Sequence, residues 1–426
     1  MTNNRIVQVL CIKPFLFLWL AEVFSQIAFN MVNFVLILLI FKLTNSNFAV
    51  SALVISFTIP AIFFGIIAGA YVDRWNKKYV LFLSNIIRAI ILILLSFFHA
   101  NVIFIYPLAF ISAVVTQFFI PAETPMIPLV VKKKDFFLSA NALFGLGLFG
   151  SILLAYVLSG PFLLILGQQY IFFVLALFFV LASIFIILIK VPKKSEDKIE
   201  GRKSDQNLIT DVKSALSMIV KTKKIYNSLL LLTLIQVIIL VLATIGPGYA
   251  SQILSIKIDE FPIYIVTPLV FGLIIGSIII GNFFEKISKN KLSTIGVFLA
   301  GLTIMALPYG SKVTSRSFVT AVNEFLPKIM VIDILHIMIF LSVVLGFALS
   351  LIFVPSNTVL QEETEDEFRG KVYGALNALV GVSSLFPIII AGELADIFGV
   401  GKVLSGIGVI LIFIGIARVA MEGKSK

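Results

Sequence analysis

Long uncharged apolar runs dominate this sequence and leave few folds open to it. A helix needs about 20 apolar residues to cross the roughly 30 Å hydrocarbon layer of a bilayer, and the runs lack the strict alternation of a membrane β-barrel. Between charged or turn-rich breaks there are twelve of them, at residues 15–41, 49–72, 79–98, 102–125, 137–166, 170–190, 227–250, 262–284, 292–311, 329–353, 372–393 and 402–419. The sequence therefore predicts an all-α, polytopic membrane protein with twelve transmembrane helices.

Composition supports this class and narrows the chemistry. Hydrophobic residues make up 60% of the chain and charged residues 13%, whereas soluble proteins average about 45–50% and about 25%. Cys11 is the only cysteine and the two histidines are far apart, so a disulfide or a metal site has little support. No catalytic cluster stands out. We expect a protein without enzymatic activity, cofactor, metal or nucleic-acid partner.

The basic residues indicate the orientation of the chain in the membrane. With the amino terminus in the cytoplasm, the inner segments carry 26 Lys and Arg residues and the outer segments carry 6, while Arg88 lies within a span. Cytoplasmic loops are enriched in these residues. We therefore expect both termini in the cytoplasm and, for a bacterial protein, insertion in the inner membrane.

One long polar segment, residues 190–224, divides the chain into two sets of six spans. It predicts an N-terminal six-helix bundle at 1–190, a cytoplasmic linker at 191–226 and a C-terminal six-helix bundle at 227–426. Apolar residues at helical spacing within 207–220 indicate a short amphipathic helix along the membrane surface. A simple tether remains the alternative.

The two halves also repeat a loop. The segment GAYVDRWNKK at 69–78 recurs in the second half as GNFFEKISKNK at 281–291. A second pair, PAET at 121–124 and PSNT at 355–358, has a wider separation, which indicates an insertion in the second half at the outer loop 311–328. Repeated six-helix halves are typical of secondary transporters, in which one half rocks against the other around a substrate site near the membrane midplane.

These residues resemble the major facilitator superfamily. The motif GxxxDRxxKK between the second and third spans, its weaker copy between the eighth and ninth, and the pairing of six with six spans carry the likeness. PAETPMIPLVVKKKDFFLSANAL and VPSNTVLQEETEDEFRGKVYGALNAL resemble more narrowly the macrolide-type drug exporters, a branch that includes siderophore exporters. The resemblance implies a charged cytoplasmic latch formed by Gly69, Asp73, Arg74, Lys77 and Lys78, with Gly281, Glu285 and Lys286 as its pseudosymmetric equivalents.

Two positions depart from the family pattern. Asn76 replaces the usual glycine, although asparagine tolerates a left-handed turn. Gly160 and Pro161 resemble the Gly-Pro element of antiporters, but apolar residues at 162–165 replace the glycines expected after it. The resemblance still favours antiport.

Polar residues within spans are costly and require an explanation. In the first span Glu22, Gln26, Asn30 and Asn33 are spaced 4, 4 and 3, so they share one helical face that we expect to line the central cavity. Glu22 is the only carboxylate among them and is our first candidate for proton coupling. The alternative is a glutamate near a helix end, wetted by the cytoplasm or paired with a base.

Two further charged residues join this hypothesis. Glu123, between Pro121 and Pro125, is the second candidate for proton coupling, with positioning of the loop as the alternative. Arg88 in the third span, one turn after Asn85, pairs in one interpretation with Glu22 or Glu123 and in the other extends to the cytoplasmic surface.

Three amides in other spans complete the predicted cavity: Asn141, Gln236 and Asn377. They offer hydrogen bonds to a substrate or between helices. The chain has 41 phenylalanines, and aromatic walls with few polar anchors suit bulky lipophilic compounds, although most of these rings are expected to face lipid or other helices.

The leading hypothesis is a monomeric, proton-coupled multidrug exporter that works by alternating access among membrane lipids. A siderophore-type exporter of one metabolite is the runner-up. A non-transporting receptor or scaffold on a transporter fold is the alternative from another class, and a membrane-embedded enzyme is the weakest.

Overall fold

The computed structural model describes residues 5–123, 125–131, 133, 136–190, 222–284, 287–311, 320, 333–364 and 366–423. Helices account for the regular structure of these residues: α1 (Arg5–Leu10), α2 (Lys13–Thr44), α3 (Asn47–Arg74), α4 (Lys77–Phe98), α5 (Val102–Glu123), α6 (Met126–Val130), α7 (Phe137–Leu188), α8 (Lys223–Tyr249), α9 (Thr267–Phe283), α10 (Lys289–Ala306), α11 (Ile334–Glu363), α12 (Asp366–Phe398) and α13 (Val400–Gly423). The predicted linker helix at 207–220 and most of the insertion at 311–328 lie outside this range.

Helix α7 contains two membrane spans. It has 52 residues, far more than one crossing needs, and Gly167 interrupts it with φ 70° and ψ −178°. Such a backbone suits glycine because glycine lacks a Cβ atom. Eleven described helices are long and apolar enough to cross a membrane, and the break at Gly167 turns one of them into two. The prediction of an all-α protein with twelve transmembrane helices is confirmed for the described residues.

The chain divides into two compact units. The first comprises Met1–Leu43 and Ile55–Asp205, and the second comprises Thr44–Val54 and Gln206–Lys426. The division near residue 205 falls within the predicted linker. The sequence did not predict that the first residues of α3 belong to the second unit while the remainder of the same helix belongs to the first.

The first unit is built around α4, which packs along α5 and α7. Its core combines side chains from several helices, including Leu18 of α2, Leu81 of α4, Phe119 of α5 and Ile186 of α7. The indole nitrogen of Trp19 donates a hydrogen bond of 2.8 Å to the carbonyl oxygen of Leu143, joining α2 to α7.

The second unit is built around α11, which packs against α8, α9 and α10. Helices α9 and α11 approach closely through two glycines. A Cβ atom at Gly272 would overlap the carbonyl oxygen of Val343, and one at Gly346 would overlap that of Leu269. Small residues at a crossing allow the backbones of membrane helices to pack directly.

The repeat found in the sequence has a structural counterpart. Asn76 precedes α4, and its side-chain oxygen accepts hydrogen bonds from the backbone nitrogens of Lys78 and Tyr79. At the equivalent position of the second half, Ser288 precedes α10 in the same way and accepts from Lys291. Asn76 has φ −67°, so it caps a helix and its backbone is not left-handed at this position.

Candidate functional site

A buried polar cluster joins α2 and α4 inside the first unit. It consists of Glu22 and Ser25 on α2 and of Asn85 and Arg88 on α4, each 1% exposed or less. Within each pair the residues are three positions apart, so they lie on one face of their helix. Each of the two helices therefore presents both of its polar residues on the same side.

The Arg88 side chain is held by one hydrogen bond and three aromatic rings. Its Nη1 atom donates to the Ser25 hydroxyl at 3.2 Å, and that hydroxyl donates to Oδ1 of Asn85 at 3.0 Å. The guanidinium carbon lies 5.6 Å from the ring centre of Phe29, 4.4 Å from that of Phe119 and 5.5 Å from that of Phe179. Aromatic faces attract cations at these distances.

Several polar atoms of the cluster are buried without a hydrogen-bond partner among the described residues. They are the Nδ2 atom of Asn85 and the Nε and Nη2 atoms of Arg88, whereas the buried Glu22 carboxylate lies beside the Gln26 side chain. Each such atom costs about 1–3 kcal/mol, so the cluster is a poor way to stabilise a fold. Unpaired buried groups of this kind are characteristic of sites that bind something or change their charge state.

Glu22 and Arg88 interact electrostatically without a direct hydrogen bond. Removal from water favours the protonated acid, whereas a nearby cation favours the carboxylate. Glu22 is therefore subject to two opposing influences on its charge. Glu22 is 1% exposed, so the alternative that it is wetted at a helix end is wrong. Arg88 is also 1% exposed, which excludes the alternative that it extends to the surface in this structure.

Glu123 lies at the C-terminal end of α5 and is 7% exposed. It follows Phe119, one of the rings around Arg88, by one helical turn. Glu22 shares its helix face with Ser25, the residue that accepts the hydrogen bond from Arg88. Glu22 is therefore the better supported partner of the two carboxylates considered from the sequence.

The remaining polar residues of α2 form a partly exposed stripe. Gln26, Asn30 and Asn33 are half-buried, and the Asn30 amide donates to the backbone oxygen of Gln26 at 2.8 Å and to its side-chain oxygen at 3.3 Å. Gln236 and Asn377 are exposed in the second unit, and the side chain of Asn141 lies outside the described part of the chain. Their part in a substrate cavity stays a prediction.

Comparison with known proteins identifies the family. The model of the Major Facilitator Superfamily matches residues 18–332. This chain belongs to the major facilitator superfamily. It is therefore a multi-pass membrane protein of a transporter family.

Two relatives illustrate how far the likeness extends. The chain is 23% identical over 406 residues to the MFS-type transporter YfiS of Bacillus subtilis, covering 92% of this chain and 88% of the relative. It is 21% identical over 413 residues to Macrolide efflux protein A of Streptococcus pyogenes, covering 93% of each chain.

Solved structures support the fold. The nucleoside transporter NupG superposes with a TM-score of 0.70 at 13% identity, covering 96% of this chain and 98% of that one. A bacterial homologue of the human lysosomal transporter Spinster, in an inward-facing and unoccupied conformation, gives a TM-score of 0.68 at 14% identity, covering 98% and 97%.

Only part of the major facilitator loop motif at 69–78 and of its copy at 281–291 lies within the described residues. Gly69, Asp73 and Arg74 belong to α3, but their side chains lie outside the described part, as do Glu285 and Lys286 altogether. Lys77 is 6% exposed. The ammonium group of Lys78 donates to the carbonyl oxygens of Ile187 at 2.9 Å and Ile189 at 2.7 Å, so it caps the end of α7.

The copy of the motif in the second unit behaves differently. Gly281 is exposed, and a Cβ atom there would meet no neighbour within 4 Å among the described residues. Lys289, the counterpart of Lys77, forms an ion pair with Glu362 of α11.

The sequence did not identify the groups that hold Arg88. Ser25, Phe29, Phe119 and Phe179 come from three different helices, and none of them stands out in an apolar run. The only signal for Ser25 is its position three residues after Glu22, which places it on the same helical face.

Proposed function

We propose that this protein exports amphiphilic, drug-like molecules by alternating access, driven by proton entry through antiport. Membership of the superfamily supports transport, and the macrolide efflux relative supports export of bulky lipophilic compounds. The single observation that supports proton coupling is the complete burial of the Glu22 carboxyl group in the same polar cluster as Arg88. The proposal places the monomer in a bacterial inner membrane with both termini in the cytoplasm.

In this proposal Glu22 carries the proton. It binds a proton in one conformation and releases it in the other, while Arg88 stays fixed by Ser25 and the three rings. Arg88 supplies a constant positive charge that favours the ionised form whenever Glu22 moves towards it. Each charge that crosses the membrane field contributes about 2.3 kcal/mol per 100 mV, which is the driving force for export.

The loop motif is proposed to close the cytoplasmic side. Asp73 and Arg74, together with Lys77, would hold α3 and α4 in register while substrate leaves on the outer side. Lys78, which caps α7, would keep the end of that helix attached to the same loop.

Transport in everted membrane vesicles tests the proposal. Vesicles containing the protein are energised and exposed to a panel of dyes, macrolides and siderophores, with and without a protonophore. We expect uptake of dyes or macrolides that collapses with the protonophore. We also expect Glu22→Gln to lower this uptake strongly, while Glu123→Gln retains most of it.

Three results would contradict parts of the proposal. Undiminished proton-linked uptake by Glu22→Gln would remove the assigned role of Glu22. Uptake restricted to siderophores would favour the specific exporter. No uptake of any compound by correctly folded protein would favour a receptor or scaffold.

A further inference from the structure

The carboxylate of Asp396, near the end of α12, holds the beginning of α3. It accepts four hydrogen bonds from three consecutive residues. The Ser46 hydroxyl donates at 2.6 Å, the Asn47 backbone nitrogen at 2.7 Å, the Asn47 side-chain amide at 2.8 Å and the Phe48 backbone nitrogen at 3.0 Å. Asp396 was not singled out from the sequence, because a charge at the end of a span is commonplace.

This carboxylate completes the N-terminus of α3. A helix begins with N–H groups that have no partner within the helix. Those of Asn47 and Phe48 bind Asp396, and that of Ala49 binds the Ser46 hydroxyl at 3.1 Å. The positive end of the helix dipole adds to the attraction for a negative charge. Asp396 therefore supplies, from another helix, what a neighbouring residue usually supplies.

The contact continues along α12 for two more turns. A Cβ atom at Gly392 would overlap the hydroxyl of Ser51, which lies 2.8 Å from the carbonyl oxygen of Ile388. Residues 388, 392 and 396 share one face of α12, and residues 47 and 51 share one face of α3. Two helices fit together here because one of them has only a hydrogen atom where they cross.

The opposite side of Asn47 meets α8. A Cβ atom at Gly248 would overlap the Asn47 side-chain oxygen, and this oxygen is buried without a hydrogen-bond partner among the described residues. A junction built only for permanent stability would not leave that oxygen unpaired. The contact of Asn47 with α8 and α12 is therefore closely packed, but it leaves one hydrogen-bond acceptor without a partner among the described residues.

Helix α3 is divided between the two compact units, and its contact with α12 lies at the part that belongs to the second unit. Residues Thr44–Val54 belong to the second unit, whereas α3 from Ile55 onwards belongs to the first. We propose that Asp396 is a positioning residue for the transport cycle: it forms an α3–α12 latch, which holds the beginning of α3 on α12 and must release it once per cycle. This inference rests on the proposed alternating access.

The position of Asp396 suits a bond that has to open. Asp396 and Phe48 are exposed, so water can replace their hydrogen bonds when they separate. A fully buried carboxylate would lose those bonds without replacement. With both termini in the cytoplasm, this end of α3 faces outwards, so the α3–α12 latch would close the outer side.

Thiol labelling in nanodiscs tests the α3–α12 latch without any substrate. Cys11→Ser removes the only cysteine, and Ser51→Cys places a thiol at a site that is fully buried in this structure. The rate of reaction with a maleimide then reports how often the junction opens. We expect Asp396→Ala to raise this rate by about tenfold, the change that loss of one charged hydrogen bond predicts, and Asp396→Asn to raise it less.

Glu393→Ala is the matched control, because it removes the same charge from an exposed position on the same helix. We expect this control to label at the parent rate. An unchanged rate for folded Asp396→Ala would overturn the proposal, as would an equal rise for Glu393→Ala. If Asp396→Ala does not accumulate, Asp396→Asn, which retains the size of the side chain, decides by the same criterion.

A reversible cross-link tests whether the α3–α12 latch has to open. Ser46→Cys with Asp396→Cys, on the Cys11→Ser background, places two thiols where the Ser46 hydroxyl and the Asp396 carboxylate lie 2.6 Å apart. Oxidation should arrest export in the vesicle assay and reduction should restore it, with the single variants unaffected by oxidation. Export that continues after complete cross-linking would overturn the α3–α12 latch. Labelling reports on Asp396 even in protein that exports nothing, so failure of this latch and failure of the proposed function are distinguishable.

Discussion

Helices α4 and α10 occupy the same place in the two halves of the repeat, yet they bury different side chains at two equivalent positions. Both begin directly after a capping residue, at Lys77 and Lys289, which are equivalent positions of the repeat. Equally far along the two helices, however, Asn85 and Arg88 of α4 correspond to the fully buried Val297 and Ala300 of α10.

The difference shows that the two helices are optimised for different purposes. On α10, Gly296 and Gly301 meet the backbone of α11 and α13, so this helix is packed closely on two sides. On α4 the corresponding face holds a charge and several unpaired polar atoms. The repeat preserves the fold in both halves, whereas the polar chemistry that we propose for coupling is found in one of them.

The largest expected effect comes from removing the buried charges of Arg88 on α4 and of Glu22 on α2. The double variant Glu22→Gln with Arg88→Met should lower proton-driven export by about 100-fold, which corresponds to about 2.7 kcal/mol. Removing both charges together leaves no uncompensated buried charge, so the unfolding temperature of the purified protein should stay close to that of the parent. A large loss of stability together with retained export would show that these two residues stabilise the fold and do not couple transport to protons.

A smaller effect is expected from crowding α10. In Gly301→Ala the new methyl group would lie 2.9 Å from the carbonyl oxygen of Gly408, and overpacking of this kind costs about 1–3 kcal/mol. Unfolding temperature should fall, while export per folded molecule stays unchanged. Gly406→Ala on α13 is the control, because a Cβ atom there meets no neighbour within 4 Å. Equal destabilisation by both variants would show that the close packing of α10 is not the cause.

The smallest effect tests what the two helices share. Asn76→Ala and Ser288→Ala each remove a side-chain cap, and each should destabilise its half by about 1 kcal/mol. Chemical unfolding monitored separately in each half by a site-specific fluorophore would measure the two losses. The repeat predicts similar values, and a loss in only one half would mean that the caps are not equivalent.

The sequence predicted the helices well because the membrane imposes a length on each apolar run. The split between spans five and six was correct even though α7 is continuous apart from Gly167. The side chains that contact each buried polar residue were harder to predict from the sequence than the helices were. Arg88 could be recognised as unusual, but its burial depends on rings contributed by α2, α5 and α7, which no local pattern reveals.

The contacts of Asp396 in the α3–α12 latch could not be predicted from the sequence either. Its role depends on Ser46 and Asn47, which are far away in sequence. The sequence signal for a helix start was present in Ser46, but a cap completed by a distant helix has no signature of its own. Contacts of this kind require the three-dimensional arrangement.

Proton release from the purified protein tests the central proposal most directly. A compound that the vesicle panel identifies as transported is added to the protein in weakly buffered detergent solution, and the pH change is recorded. If substrate and proton compete, the parent protein should release about one proton per molecule bound, Glu123→Gln should do the same and Glu22→Gln should release none. Equal release by Glu22→Gln and the parent would contradict the assignment of the coupling proton to Glu22.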